Sequence, residues 1–444
     1  MRRVIATAAL AAICALATGS VRAATGDFPN LGSHVSIGSL PQGGTYIVRP
    51  ASGAPVAAIE LWYRAPSTGF GAKPVPSLAR LAAQVVAGSK PLIGDPLGKQ
   101  VSDVGGRLAI TVYSDSLSIA AIVPSQEARK ITKSLTTAFF APVVTDDGFR
   151  FAQRDVAQEA LLQSFNPETI VRDAIFGSLF SNGPQHYPPI GNPKDVAAIS
   201  IADVRAFATR AFRAQNAVLV VSGSIDPTIQ TSASAGRAES GEAAAAEPPT
   251  NPELASSPAA VNKVFEEPSG GYGWVGPPIS NEREATAMDF IADYLFRPEA
   301  GVVTRAVEES SPDAFVSGQF ITLRDPGVMF VAFSGKNAPD LRRKVDDGFA
   351  TIRKPLDART FAAALAAFEY HLLSDLQTPS EIADNFGWYT VEGNAAYAPG
   401  ADDENGAYFK AASQLTPEFV AATAEKYLGK APASVTLAAE PAAK

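Results

Sequence analysis

The chain has 444 residues and a formal net charge of −8, and apolar residues make up 46% of it. This length is enough for two or three domains, and the apolar content excludes a chain that is disordered throughout. The acidic balance, with no basic stripe, argues against nucleic acid as a partner. We attribute the acidic surface to solubility.

The first 23 residues have the pattern of a secretory signal peptide. Arg2 and Arg3 precede an apolar run at residues 4–17, and the small residue Ala23 offers a cleavage site. The run is too short to cross a bilayer comfortably, so we expect no stable membrane insertion. The only cysteine, Cys14, lies in this segment, and cleavage would leave a chain without thiols. We therefore expect a periplasmic protein, whether the signal is cleaved or retained.

Next in chain order comes a mixture of strands and helices. Alternating apolar residues predict a strand at 57–63, and an apolar stripe that includes Leu78, Leu81 and Val85 predicts a helix at 77–87. The same reasoning predicts, in order, a hairpin at 108–113 and 117–123 and helices at 125–140 and 147–164. The order lacks strict βαβ alternation, which favours an α+β fold with helices on one face of a largely antiparallel sheet.

A segment at 227–261, rich in Ala, Ser, Pro and Glu, predicts a flexible linker. It separates a unit at 27–226 from a second unit at 262–440. Each unit closes with a capped helix followed by a strand, and the expected N-caps are Ser200 and Thr416. We therefore expect two homologous units.

Several segments, in order, resemble the insulinase-like (M16) metallopeptidase family. They are the strand at 57–64, the glycine-marked hairpin after Gly105 and Gly106, the helix at 153–162, the turn at 185–191 and the closing strand at 216–226. The resemblance covers nearly the whole chain after the signal. It implies a LuxS/MPP-like metallohydrolase architecture of two α+β units.

Active members of this family carry the inverted zinc motif His-x-x-Glu-His on the first helix. This chain has Arg80, Ala83 and Gln84 at the three matching positions. The resemblance places the family's third ligand, a glutamate, at Glu159, which is here at most a relic. A zinc site needs three side chains with lone pairs, whereas Arg80 has none and stays protonated. Where the family has its glutamate, this chain has Ala83, so it lacks the carboxylate that would take a proton from zinc-bound water.

The three histidines, His34, His186 and His371, are far apart in sequence. We expect His186 to be structural in its proline-rich turn and His371 to be a packing or surface residue of a helix. The sequence therefore predicts no metal in this chain and no hydrolysis by the chain on its own. An active zinc peptidase with rearranged ligands is the least favoured alternative.

In the second unit, family members carry an arginine and a tyrosine that hold the substrate. At the matching positions this chain has Glu308 and Phe315, so the charge is reversed and the phenol is missing. Arg305, one turn earlier, is the remaining candidate for a residual role. Tyr272 and Trp274 either line a chamber wall or, as we favour, pack the first strand of the second unit.

The resemblance implies a non-catalytic subunit that pairs with a catalytic M16 peptidase subunit and helps to form a chamber for peptide substrates. Zinc is then expected only in the partner subunit. The alternative is a stand-alone periplasmic pseudopeptidase that binds peptides or proteins, since an exposed sheet edge can bind an extended peptide without catalysis.

Overall fold

The computed structural model describes residues 32, 34–41, 43–51, 53, 55–71, 73–91, 94–233, 253–255, 260–265, 268–401 and 406–439. The expected signal peptide at 1–23 lies outside these residues, as does the stretch 234–252 of the expected linker. None of the helices within the described ranges combines the length and the apolar character needed to span a membrane.

The first half contains a central group of strands with helices between them. In chain order these are β1 Ser36–Ser39, β2 Thr45–Pro50, β3 Val56–Arg64, α1 Leu78–Gly88, α2 Leu97–Asp103, β4 Arg107–Val112, β5 Ser116–Pro124, α3 Ala128–Phe140, α4 Asp146–Gln163, α5 Pro167–Leu179, β6 Phe180–Asn182, α6 Pro193–Ala198, α7 Ile201–Ala211 and β7 Ala217–Gly223.

The second half repeats this plan with longer opening helices. Its elements are β8 Glu253–Leu254, β9 Ala260–Phe265, β10 Ser269–Val275, α8 Glu282–Phe296, α9 Val302–Ser310, β11 Phe315–Ile321, β12 Val328–Ser334, α10 Ala338–Ile352, α11 Ala358–Ser374, α12 Pro379–Val391, α13 Ala407–Ser413, α14 Pro417–Leu428 and β13 Ala433–Ala439.

The two main sheets have the same topology. The first has the strand order β1-β2-β7-β3-β5-β4 and the second β11-β12-β10-β13-β9, so the second corresponds to the first without β1 when one order is reversed. In each sheet all neighbours are antiparallel except one pair, β2 with β7 and β9 with β13. This correspondence confirms the predicted α+β fold of two homologous units with largely antiparallel sheets.

Each sheet carries helices of its own half on one face. In the first half, Ile59 and Leu61 of β3 pack with Val85 of α1, Leu135 of α3 and Phe207 of α7 in one buried cluster. Such a core is expected where each helix has an apolar stripe and each strand alternates. The helices predicted at 77–87, 125–140 and 147–164 are present as α1, α3 and α4, with α3 preceded by one 3₁₀ turn.

The opposite face of each sheet is covered by a helix from the other half. Helix α12 lies across β3 and β7, and α5 lies across β10, β12 and β13. Both contacts are close because one partner is glycine. A Cβ at Gly387 of α12 would overlap the indole of Trp62, and Cβ atoms at Gly271 and Gly273 of β10 would overlap Val171 and Ile175 of α5, respectively. The two halves are thus joined by exchanged helices.

The aromatic residues of β10 pack inside the second half. Tyr272 and Trp274 are 4% and 6% exposed, and Trp274 Nε1 donates to the carbonyl oxygen of Lys430 at 2.9 Å. The packing interpretation of this segment is therefore correct, and the chamber-wall interpretation is wrong.

Candidate functional site

The start of α1 is held by a turn from a distant part of the first half. Ser77, just before α1, has a φ of 70°, which is uncommon for a residue other than glycine. Its hydroxyl accepts a hydrogen bond of 2.8 Å from the backbone N–H of Gly191. A Cβ at Gly191 would lie 2.6 Å from Asp195 Oδ2 and 2.8 Å from Pro76 Cβ. The turn therefore needs glycine here, and it fixes where α1 begins.

Helix α4 lies beside α1 and runs in the opposite direction. The Thr145 hydroxyl caps α4 by accepting from the N–H of Gly148 at 3.1 Å. The N–H of Thr145 donates to Ser89 Oγ, just after the end of α1, at 3.1 Å. Gln153 Nε2 donates to the carbonyl oxygen of Val196 at 3.1 Å and so ties α4 to α6. These contacts bring the last turns of α4 to the first turns of α1.

Arg80, Gln84 and Glu159 meet at this point. Arg80 Nη1 donates to Gln84 Oε1 at 2.9 Å, and Arg80 Nη2 lies 2.8 Å from Glu159 Oε2. The side chains of Arg80 and Glu159 are 14% and 30% exposed. The guanidinium thus lies between the side chains at the two other ligand positions and neutralises the carboxylate. The structure brings together the three residues at which the family resemblance places the zinc ligands.

The residues present do not fit a zinc ion. The bonds from Arg80 occupy the Gln84 amide oxygen and one Glu159 oxygen, the atoms that would otherwise be offered to a metal. Ala83 is fully buried in the core of the first half and carries no base. Among the residues that the structure describes, no three His, Cys, Asp or Glu side chains gather as a metal-binding group. The arrangement can hold an ion pair, and we derive no hydrolytic step from it.

The second set of candidates lies in the other half. Glu308 is exposed on α9, and Phe315, 40% exposed, begins the edge strand β11. Over the described ranges, neither forms a hydrogen bond or an ion pair with Arg80 or Glu159. Arg305, also exposed on α9, lines a cavity between α8, α9 and α11.

Comparisons with known proteins relate one part of the chain to a known family and the whole fold to solved structures. Residues 198–368 match the family model described as "Peptidase M16 inactive domain". Residues 198–368 of this chain are therefore similar to that domain. The match begins just before α7 and ends within α11, so it excludes the α1–α4 pair that holds Arg80. A sequence comparison with curated proteins found no match.

Solved structures share the fold of this chain over nearly its whole length. A protease from Helicobacter pylori has a TM-score of 0.78 at 16% identity and covers 92% of this chain and 99% of its own. A peptidase M16 inactive domain from Pseudomonas fluorescens has a TM-score of 0.71 at 17% identity, covering 93% and 100%. A chain of complex III2 from Candida albicans has a TM-score of 0.73 at 12% identity, covering 91% and 96%.

The three histidines of this chain have separate environments. His34 is exposed. His186 Nδ1 lies 2.5 Å from the carbonyl oxygen of Phe180, which is the structural role expected for it. His371 is not simply a packing or surface residue, because its Nδ1 lies 2.9 Å from Asp293 Oδ2 at the wall of the α8–α9–α11 cavity.

Sequence analysis missed a buried charged cluster between the halves. Gln185 Nε2 donates to Asp115 Oδ2 at 3.3 Å, and the N–H of Arg324 donates to Glu392 Oε2 at 2.8 Å. Burial, with the Asp115 charge in second place, raises the pKa of Glu392 to about 8, against the opposing effects of Arg324 and Arg64. Burial also raises the pKa of Asp115. These residues belong to separate loops and element ends, and no local motif links them.

A third buried acid lies at the same junction. Glu60 of β3 accepts a 2.9 Å hydrogen bond from Trp62 Nε1. Burial raises the pKa of Glu60, and the charge of Asp384 on α12 raises it further. Trp62 stacks on Tyr113 with centroids 5.9 Å apart and meets Trp388 edge-on at 6.4 Å. The one signal in the sequence was a carboxylate sharing a strand face with a tryptophan.

Proposed function

We propose that this protein is a non-catalytic M16-like subunit of the periplasm. It pairs with a catalytic M16 peptidase subunit, which holds the zinc. The pair forms a chamber for peptide substrates, and this chain contributes chamber wall and substrate contacts rather than hydrolysis.

One observation carries the proposal: an internal ion pair takes the place of the metal site in an otherwise retained fold. Arg80 and Glu159 satisfy each other at 2.8 Å, and the helices that bring them together are held by the Thr145 cap of α4 and by the Gly191–Ser77 hydrogen bond just before α1. A retained fold without the metal site supports a role in binding or assembly rather than in hydrolysis. A fold neighbour that is a chain of a complex agrees with a role as a subunit.

The surface beside this ion pair is suited to binding. Phe151 and Leu162 on α4 are 61% and 63% exposed, and three turns of helix place them on one face. Large exposed apolar side chains in a group indicate a binding surface. The edge strands β4 and β11 offer unpaired backbone groups for an extended peptide.

The test is capture of the partner from the native host. The full chain, tagged at its C-terminus, is expected to co-purify in equal amounts with a protein that carries His-x-x-Glu-His and bound zinc. The mixture should cleave peptides, and the isolated chain should not. A chain that elutes alone and monodisperse from its host, or that cleaves peptides itself in a chelator-sensitive way, contradicts the proposal.

A pair of variants tests the surface on α4. Phe151→Ser with Leu162→Ser should weaken pairing or peptide binding about tenfold or more, because burial of two large apolar side chains would be lost. The matched control is Tyr370→Ser with Leu373→Ser on α11, whose side chains are 65% and 45% exposed. Equal effects of the two double variants would exclude α4 as the binding surface.

A further inference from the structure

The second half contains an open cavity of about 650 Å³ between α8, α9 and α11. This volume is in the range of sites for small organic ligands. Part of its wall is made by Ala363, Ala364 and Ala367 of α11, and these small side chains leave the space open. The cavity lies away from the Arg80–Glu159 pair, and the inference does not depend on the proposed pairing.

One wall of the cavity is a chain of charges that already compensate each other. Arg297 donates to both oxygens of Asp375, at 3.0 and 3.1 Å, and lies 3.7 Å from Asp293. Asp293 also holds Nδ1 of His371 at 2.9 Å. Because Nδ1 is engaged, only Nε2 of His371 is left for a ligand.

Two further guanidiniums of the lining have no such compensation among the described residues. Arg305 of α9 and Arg359 of α11 both line the cavity and are exposed, and neither side chain forms an ion pair or hydrogen bond with any described residue. Asp357, the nearest carboxylate in sequence, is used as the N-cap of α11, accepting from the N–H groups of Arg359 at 3.1 Å and Thr360 at 3.0 Å. Two positive groups thus face an open space.

Arg305 also acts on a phenol of the same cavity. Burial raises the pKa of Tyr294, the positive charge of Arg305 opposes that rise, and the negative charge of Asp357 adds to it, so both charged groups are close to the phenol. Tyr294 stacks on Phe290 with the rings nearly parallel. The phenol is therefore a rigid polar group beside the guanidinium.

The duplication gives this cavity a counterpart in the first half. His371 follows the N-cap of α11, Asp357, at the same spacing at which Glu159 follows the N-cap of α4, Thr145. In the first half, Arg80 bonds to the polar side chains at the corresponding position, Gln84 and Glu159. In the second half the corresponding helix borders an open cavity with unpaired arginines.

We propose that this cavity binds a small organic anion through its carboxylate, with Arg305 and Arg359 as the anion-binding residues. Guanidinium pairs carboxylates through paired, charge-assisted hydrogen bonds. With Arg297 compensated by Asp375, the lining charges that remain on this side are Arg305 and Arg359 against Asp357, and their net charge of one positive unit matches a monoanion better than a phosphate dianion. His371 and Tyr294 supply further polar contacts, and the alanines accommodate an apolar body.

The test is calorimetric titration of the full chain with hippurate, with its neutral amide hippuramide and with phenyl phosphate. Hippurate is expected to bind with a dissociation constant of about 0.1–1 mM, and hippuramide about tenfold more weakly, because one charge-assisted interaction is lost. Arg305→Gln and Arg359→Gln should each weaken hippurate binding by about tenfold. The control is Arg205→Gln, an exposed arginine of α7 outside the cavity, which should leave binding unchanged.

Three results would overturn the assignment. They are no hippurate binding up to about 10 mM, equal binding of hippurate and hippuramide, and hippurate binding that neither cavity variant weakens. If phenyl phosphate bound about tenfold more tightly than hippurate, the preferred ligand group would be a phosphate rather than a carboxylate, and this result would also overturn the assignment. Circular dichroism checks that each variant is folded, which is expected because both side chains are exposed and unpaired.

Discussion

At the residue scale, Arg80 at the start of α1 determines whether the three former ligand positions are open to a metal ion. Arg80 links Gln84 at 2.9 Å and Glu159 at 2.8 Å. In a site of this kind a cation does two things at once: it occupies the acceptor atoms, and it repels a second cation. The side chains of residues 80, 84 and 159 are nevertheless adjacent, because the packed helices α1 and α4 set their positions independently of the residue types.

This adjacency predicts that zinc binding can be introduced with two substitutions. Arg80→His with Gln84→His supplies two imidazoles beside Glu159, a ligand set with zinc–nitrogen distances of about 2.0–2.1 Å. We expect the double variant to bind about one zinc per chain and the natural chain to bind none. Mass spectrometric metal analysis after dialysis is the measurement. No peptide cleavage is expected, because Ala83 provides no base.

The control for this prediction removes the third ligand. Adding Glu159→Gln to the double variant should weaken zinc binding at least about tenfold, because an amide oxygen is a poorer ligand than a carboxylate. Zinc retained equally with and without Glu159, or held as tightly by the natural chain, would show that the three positions do not form the relic of a metal site.

At the scale of elements, the two halves are joined by α5 and α12, each lying on the other half's sheet. Both helices begin at a proline preceded by a side-chain cap, Asn166 for α5 and Thr378 for α12. Each then makes a contact in which glycine removes the Cβ that would separate helix and strand. Close packing of this kind makes the junction sensitive to added volume.

Gly387→Ala in α12 is therefore expected to destabilise the protein by about 1–3 kcal/mol, because the new methyl group overlaps the buried indole of Trp62. Thermal unfolding followed by tryptophan fluorescence measures the change. The matched control is Gly88→Ala, also in a helix, where an added Cβ meets no heavy atom within 4 Å. That control should be neutral or slightly stabilising. An equal change in both variants would mean that the overlap with Trp62 in the α12–β3 contact does not determine the effect of Gly387→Ala.

The helices and strands and their repetition in two units were largely predictable from the sequence, whereas the packing partners of the helices were not. The stripe Leu78, Leu81 and Val85 predicted α1, and the caps Ser200 and Thr416 predicted the two closing helices, because these signals are local. The exchange of α5 and α12 has no local signal, because the sequence pattern of an apolar helix face does not identify the sheet against which the helix packs. For the same reason, the positions of Arg80 and Glu159 could be matched by resemblance, but their ion pair required the structure.

For the whole molecule, the junction between the halves is unusual in burying acids as well as aromatic rings. Glu392 follows α12, and Asp115 lies between β4 and β5. Arg64 ends β3 in the first half, and Arg324 lies between β11 and β12 in the second. Charges buried together in this way are tolerated only when they compensate each other or change protonation. Folding of either half alone would leave these groups incomplete, so the halves are expected to unfold together.

The protonation of these acids gives a pH dependence of defined sign. Glu392 has a pKa of about 8 in the folded chain against an ordinary value of 4.5, so the folded state holds a proton that the unfolded state has released. Stability is therefore highest below about pH 4.5 as far as this group is concerned, and it falls as the pH rises from 4.5 to 8. The raised pKa of Glu60 acts in the same direction.

Glu392→Gln should flatten this decline, because the amide stays neutral and its oxygen can still accept the hydrogen bond from Arg324. The measurement is the melting temperature between pH 6 and 8, where we expect a clear decrease for the natural chain and a smaller one for the variant. Glu284→Gln is the control: the hydrogen bonds from Lys426 and Tyr427 outweigh the effect of burial and lower the pKa of Glu284, so this variant should lose a similar amount of stability at each pH. A variant Glu392→Gln whose melting temperature falls as steeply as that of the natural chain would show that Glu392 is ionised at the junction and held by its arginines.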